Sequence, residues 1–161
     1  MEALDHARRA FELYRAAGHQ MGQAHALNNI GWFCALLGDH QQALACCQQS
    51  LALFQEAGHS RGGAAAWDSL GYVHHQLREY AQAIDCYQHA LRLRRDLGDR
   101  YHEAGTLTHL GDSHRAMGGD QEARDAWRQA LAILEDLDHP DAERLRVRLQ
   151  ESPGVPVDGR G

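Results

Sequence analysis

Apolar residues recur along most of this chain at the helical period. Within residues 23–37, Ala24, Leu27, Ile30, Cys34 and Leu37 fall close to one side of a helix. Gly38-Asp39 breaks the pattern, and a second stripe follows at Ala43, Leu44, Cys47, Leu51 and Phe54. Gly58 then sits where helices commonly end in a left-handed residue. The same reading predicts helices near 63–77 and 80–97, and again near 102–117 and 120–137. Residues 2–17 predict a lone helix with Leu4, Ala7, Phe11 and Tyr14 on one face. Pro140 can start a last helix, because the first turn has no use for the N–H that proline lacks. That helix sets Ala142, Leu145 and Leu149 on one side.

The stripes repeat. Aligning IGWFCALLGDHQQAL, LGYVHHQLREYAQAI and LGDSHRAMGGDQEAR puts Gly31, Gly71 and Gly111 in one column, at a period of 40. Ala3, Ala43, Ala83 and Ala123 form a second column, and Phe11, Leu51, Leu91 and Leu131 a third. Gly18, Gly58 and Gly98 form a fourth, always after a helical stretch. Each unit reads as two helices. The expected organisation is a half repeat at 1–19, repeats at 20–59, 60–99 and 100–138, and a C-terminal helix at 140–150. Residues 151–161, ESPGVPVDGRG, have little to bury and are expected to be disordered. A mid-helix Gly costs roughly 1 kcal/mol relative to Ala. Its recurrence implies a close helix approach, with Ala43, Ala83 and Ala123 as the small surface opposite.

These columns resemble the tetratricopeptide repeat family. Trp67-Asp68-Ser69-Leu70-Gly71-Tyr72-Val73-His74 is similar to the signature W-x2-L-G-x2-Y, with His in the Tyr place. Ala83, Tyr87 and Ala90 continue the match. Leu107, Leu110, Gly111, Ala123, Trp127 and Ala130 fill the same places in the third unit, and Leu27, Ile30, Gly31, Ala43, Cys47 and Ser50 in the first. The resemblance covers about residues 1–150. It implies an all-α fold, a right-handed α-α superhelix of antiparallel helix pairs. The common repeat has about 34 residues, and the usual closing Pro is absent here, with Arg95 near its place. The longer form is similar to repeats of kinesin light chains and of bacterial sensor regions. Residues 131–149 also look like the chain end of large actinobacterial transcription regulators, whose DNA-binding and ATPase regions have no counterpart here. The half repeat at 1–19 is expected to cap the array by one face, to continue a longer chain, or to pair two copies.

The resemblance implies a partner-binding concave groove lined by the first helix of each pair, and no catalysis or cofactor. In the first unit its positions are His25, Asn28, Trp32, Ala35 and Leu36. In the second they are Ala65, Asp68, Tyr72, His75 and Gln76, and in the third Gly105, Thr108, Asp112, Arg115 and Ala116. Trp32 and Tyr72 are rigid amphipathic residues of the kind enriched at interface hot spots. The alternative is that they only cover the inner surface. Asp68 and Asp112 favour a cationic feature in the ligand. With Arg115 the one basic residue there besides His, an acidic chain end is disfavoured.

Composition adds exclusions. The net charge of -6 speaks against direct nucleic-acid contact. All 16 basic residues are Arg, and the clusters Arg92, Arg94, Arg95 and Arg144, Arg146, Arg148 have acids beside them, as solvated helix faces do. No apolar run approaches a membrane span, and residues 1–15 read as an amphipathic helix that lacks the apolar core of a secretory signal. Cys34, Cys46, Cys47 and Cys86 lack metal-type spacing and read as core residues of a cytoplasmic protein. The 12 His include His74 and His114 in one column, yet no pair has helical ligand spacing, so no metal site is expected. No catalytic triad, phosphate loop or paired-acid motif stands out.

Overall fold

The computed structural model describes residues 2–151. The tail expected over 151–161 therefore lies, apart from Glu151, outside the described residues. Eight helices and no strand occur among the described residues: α1 (Glu2–Ala16), α2 (Gln20–Leu36), α3 (His40–Glu56), α4 (Ser60–Gln76), α5 (Tyr80–Asp96), α6 (Arg100–Ala116), α7 (Asp120–Asp136) and α8 (Asp141–Glu151). They form a solenoid of antiparallel pairs: α2 with α3, α4 with α5, and α6 with α7. The first helices α2, α4 and α6 pack closely from unit to unit, whereas α3, α5 and α7 stand further apart, with Arg95 of α5 reaching Gln129 of α7 at 3.4 Å. The first helices are therefore the inner, concave layer. None of the helices described is long and apolar enough to cross a membrane.

Helices α2, α4 and α6 begin two or three residues earlier than their apolar stripes suggest. At α2 and α4 an unusual cap stands at this early start, whereas α6 follows Asp99, which makes no side-chain cap bond. His19 Nδ1 accepts the Gly22 N–H at 2.8 Å, and His59 Nδ1 accepts the Gly62 N–H at 3.0 Å. These imidazoles do the work usually given to Ser, Thr, Asp or Asn. Gly22 and Gly62 read in the sequence as loop but lie inside the helix. A Cβ on either would lie 2.3 Å from the ring of Tyr14 or Phe54, which crosses over it. Phe54 is 1% exposed, a burial that contributes roughly 1.5–3 kcal/mol.

The mid-helix glycines do mark close approaches. A Cβ on Gly71 would lie 2.5 Å from the Tyr87 ring, and one on Gly111 would lie 2.4 Å from Trp127 Nε1 and 3.0 Å from the Ala123 carbonyl. The opposing surface is thus not alanine alone. The nearer atoms belong to the side chain one turn further on. In the first unit that side chain is Cys47, with its Sγ 2.3 Å from a Cβ on Gly31. Burial, with Cys46 and Cys34 adding to it, pushes the Cys47 thiol up to about 12, which makes it an inert packing residue.

One arginine cluster differs from its sequence reading. Arg92 and Arg95 are exposed, but Arg94 is 6% exposed and buried. It occupies the position of Phe54 and Leu134 in the flanking units, and it donates to the His102 carbonyl and to Thr106 Oγ1.

Candidate partner-binding groove

Each first helix presents one stripe to the concave side, and adjacent stripes lie side by side. The Trp32 and Tyr72 rings meet across the first two units with centroids 4.7 Å apart, and both are half-buried. Tyr72 also approaches His109 on the third unit, at 6.3 Å. Leu36 is 55% exposed at the open end of this aromatic strip, and Gln76 is exposed one unit further on. Asn28 is half-buried, and its Oδ1 has no hydrogen-bond partner among the described residues. His25 is turned elsewhere: its ring packs edge-on to Phe54 at 4.8 Å and to His59 at 5.7 Å. Burial, and then His59, lower its pKa.

Asp68 is the centre of a polar cluster that pattern alone did not bring together. It accepts the Thr106 hydroxyl at 2.7 Å, lies 3.8 Å from Arg94 Nη1, and lies 3.6 Å from His109 Nδ1. The last is an ion-pair distance, too long for a hydrogen bond. Burial pushes the Asp68 carboxyl up, but His109, Arg94 and Thr106 outweigh it and hold it below the ordinary carboxylate range. Burial pulls His109 down, and Asp68 followed by Asp112 raises it above the ordinary imidazole value.

Asp112 is engaged as well. It accepts Trp127 Nε1–H at 3.1 Å and is bound by Arg148 from α8. Arg148 and Arg115 both lie over the Trp127 ring, 5.4 and 5.7 Å from its centroid. His75 Nδ1 pairs with Ser113 Oγ at 2.8 Å, and burial lowers its pKa although Asp112 opposes this. Thr108 returns its hydroxyl to the Ala104 carbonyl of its own helix at 2.9 Å.

The stripe therefore has two characters. The N-terminal half is aromatic and amide-bearing, through Asn28, Trp32 and Tyr72. The C-terminal half is a cavity of about 460 Å³ between α6 and α8, bordered by Asp68, Gly105, Thr108, His109, Arg144 and Arg148. A second cavity of about 430 Å³ adjoins it at Arg148. Sequence reasoning missed Arg94, Thr106, His109, Arg144 and Arg148. The signal for Arg94 was present: a charged residue in an otherwise apolar column. Arg144 and Arg148 lie on α8, beyond the repeat signature. Among the described residues, no three His, Cys, Asp or Glu side chains converge as metal ligands would.

The model of a family described as tetratricopeptide repeat matches residues 1–56 and 63–136. No curated protein matches. Several solved structures share the fold. BtubC from P. vanneervenii superposes with a TM-score of 0.79 at 15% identity, over 94% of this chain and 64% of its own. A Rap protein complexed with competence and sporulation factor gives 0.83 at 17% identity, over 92% of this chain and 42% of its own. Nearly identical TPR-like repeats from a Podosopora anserina protein assigned as a kinesin light chain give 0.68 at 15% identity, covering 94% and 87%. The chain thus spans less than two thirds of the length of the first two. At these identities the likeness concerns the fold.

Proposed function

The chain belongs to the tetratricopeptide repeat family, and on that premise we propose that it is a non-catalytic scaffold that binds a protein or peptide along its concave face. The observation that carries this reading is the Trp32–Tyr72 pair, half-buried and shared between two units. Aromatic anchors of that kind dominate binding energy at interfaces. A Rap protein of the same fold, in complex with competence and sporulation factor, supports it by analogy. The finer reading is that the array serves in the cytoplasm as the partner-sensing region of a bacterial transcription regulator. The likeness of residues 131–149 to the chain ends of such regulators supports it. The flanking coding sequence tests it, since a DNA-binding or ATPase region should stand upstream.

The groove is tested with a displayed random-peptide library. Peptides enriched on the wild-type chain should lose most of their binding to Trp32→Ala/Tyr72→Ala. An unchanged peptide set would remove these residues from the groove.

A second reading is self-association through α1, favoured by Leu13, which is 66% exposed, and by the edge that Tyr14, 40% exposed, leaves open where its ring lies across Gly22. Light scattering over a concentration series should then show a dimer that Leu13→Arg dissociates. A monomer at every concentration would eliminate it.

A further inference from the structure

The gaps between the second helices are filled differently from one unit to the next. Between α5 and α7 the chain's own arginines cross the gap. Arg95 Nε donates to Glu103 at 2.7 Å and its Nη2 donates to Gln129 at 3.4 Å. Arg100 pairs with Asp136 at 3.0 Å. Glu103 is 8% exposed, so the Arg95 guanidinium answers a carboxylate that burial would otherwise leave uncompensated.

One repeat earlier, between α3 and α5, the residue types differ. Gln55 stands for Arg95, Ser60 for Arg100, Gly63 for Glu103 and His89 for Gln129, while Asp96 keeps the place of Asp136. Among the described residues none of the crossing contacts forms here. A cavity of about 450 Å³ takes their place, lined by Phe54, Gly63, Trp67, His89, Leu93 and Asp96. That volume is within the ordinary range for ligand pockets. Gly63 leaves the floor open, since an added Cβ would meet only Leu93 Cδ1, at 3.8 Å. Trp67 replaces Leu107, and its ring stacks on His89 with centroids 4.4 Å and planes 13° apart. Arg92 is the other charged residue on the rim, and it is directed at His89, donating to Nδ1 at 2.8 Å. Asp96 lacks the arginine that Asp136 has. Among the described residues its carboxylate makes no hydrogen bond or ion pair.

We infer that this outer slot receives an arginine side chain of a partner protein, in the place that the chain's own arginines take one repeat on. The guanidinium would pair with Asp96 and lie against the Trp67 indole, since indole is the aromatic ring that attracts a cation best. Arginine suits the slot better than lysine, being planar, weakly hydrated and able to stack. The net charge of -6 favours the approach of a basic partner. The slot belongs to the layer of second helices, apart from the Trp32–Tyr72 strip, so it goes beyond the groove reading and does not depend on it.

The test uses the full chain and two pools of short synthetic peptides with randomised flanks. One pool has arginine at the centre, and the other has citrulline, which keeps the shape and removes the charge. The arginine pool should be retained about tenfold better, as a charge-assisted pair allows. It should also shift the Trp67 indole N–H signal in an NMR spectrum, the signal being the one missing from Trp67→Phe. Asp96→Asn should lower arginine retention to the citrulline level with an unchanged melting curve, because that side chain is exposed. Gln55→Arg/Gly63→Glu copies the contact of the next repeat and should close the slot to the peptide. Gly63→Ala adds only a methyl and should keep binding. Equal retention of the two pools, an unmoved Trp67 signal, or an arginine preference that survives Asp96→Asn would overturn the inference. Trp32→Ala/Tyr72→Ala should leave the preference intact. Its loss there would put the arginine in the concave groove and would overturn the slot while leaving the groove standing. Free arginine amide that displaces the pool at equal guanidinium concentration would make a small guanidine the ligand and would overturn the assignment to a partner protein.

Discussion

Gly105 and Gly111 lie six residues apart on α6, and the same substitution should move stability in opposite directions at the two. At Gly111 a Cβ would run into Trp127 Nε1 at 2.4 Å and the Ala123 carbonyl at 3.0 Å. Trp127 is 1% exposed and cannot retreat. Gly111→Ala should therefore destabilise by about 1–3 kcal/mol through overpacking. At Gly105 the added methyl meets open space, so Gly105→Ala should stabilise by about 0.5–1 kcal/mol by removing glycine from a helix interior. Urea denaturation of the two variants checks both signs. The buried cluster makes a second residue-scale prediction. Asp68 is depressed, so its contribution is present above the unfolded value of about 3.9 and is lost as pH falls through the lower folded value. His109 is raised, so its contribution is complete below about 6.5 and is lost as pH rises through the higher folded value. The stability gap between wild type and His109→Gln should accordingly be widest between roughly pH 4 and 6.5 and should narrow above it. A gap that grows with pH would contradict the pairing. Position 94 shows what a sequence can hide. Its column reads Tyr14, Phe54, Arg94, Leu134, and the facing column reads Gly22, Gly62, His102, Ala142. Compared down the column, Arg94 is the charged exception in a core site. Compared with its neighbours Arg92 and Arg95, it looks like one more solvated arginine.

At the scale of the element, the unit is finer than the 40-residue repeat. Each helix from α2 to α7 has 17 residues, and a left-handed residue follows each helix from α1 to α7 at intervals of twenty. These are Gly18, Gly38, Gly58, Gly98 and Gly118, with Arg78 (φ 63°) and Asp138 (φ 49°) in the same role. The glycine column was legible in the sequence because glycine serves that conformation without a Cβ clash. Arg78 was silent, because backbone geometry forced by its neighbours leaves no trace in its own side chain. Arg78→Gly should relieve the left-handed strain and stabilise the protein by about 1 kcal/mol. A lower melting temperature would show that Arg78 makes a compensating contact. Helix starts were less legible for a related reason. Propensity has no place for His as a cap, and Gly22 and Gly62 read as breaks until the rings of Tyr14 and Phe54 are seen lying across them.

At the scale of the molecule, the two ends of the array differ. Helix α8 buries Ala142 and Leu145 and is tied back to α6 and α7 by Arg148–Asp112 and by Arg146–Glu135 at 2.7 Å. Its outward side carries Arg144 and Glu151 together with Val147, 43% exposed. Helix α1 buries only Leu4 and Ala7 and packs mainly on α2, with Arg8 reaching Gln42 of α3 at 3.0 Å, while Leu13 and Tyr14 remain exposed. The repeat columns made the array readable, but they described each unit by its likeness to the others. The groove's charge was not readable, because it depends on α8 and on contacts such as Asp112 to Arg148 that span 36 residues. A solenoid holds each helix mainly through its immediate neighbours, so local stability should follow the number of those neighbours. Helices α4 and α5 are packed on both sides, and α1 on one. Native-state hydrogen exchange should therefore show α1 opening at the lowest free energy, with α4 and α5 close to the global value. If α1 buries its outer face against a second copy, its protection should rise with protein concentration while that of α4 stays constant. Protection of α1 equal to that of α5 at every concentration would mean that Leu4 and Ala7 anchor it more firmly than their burial implies.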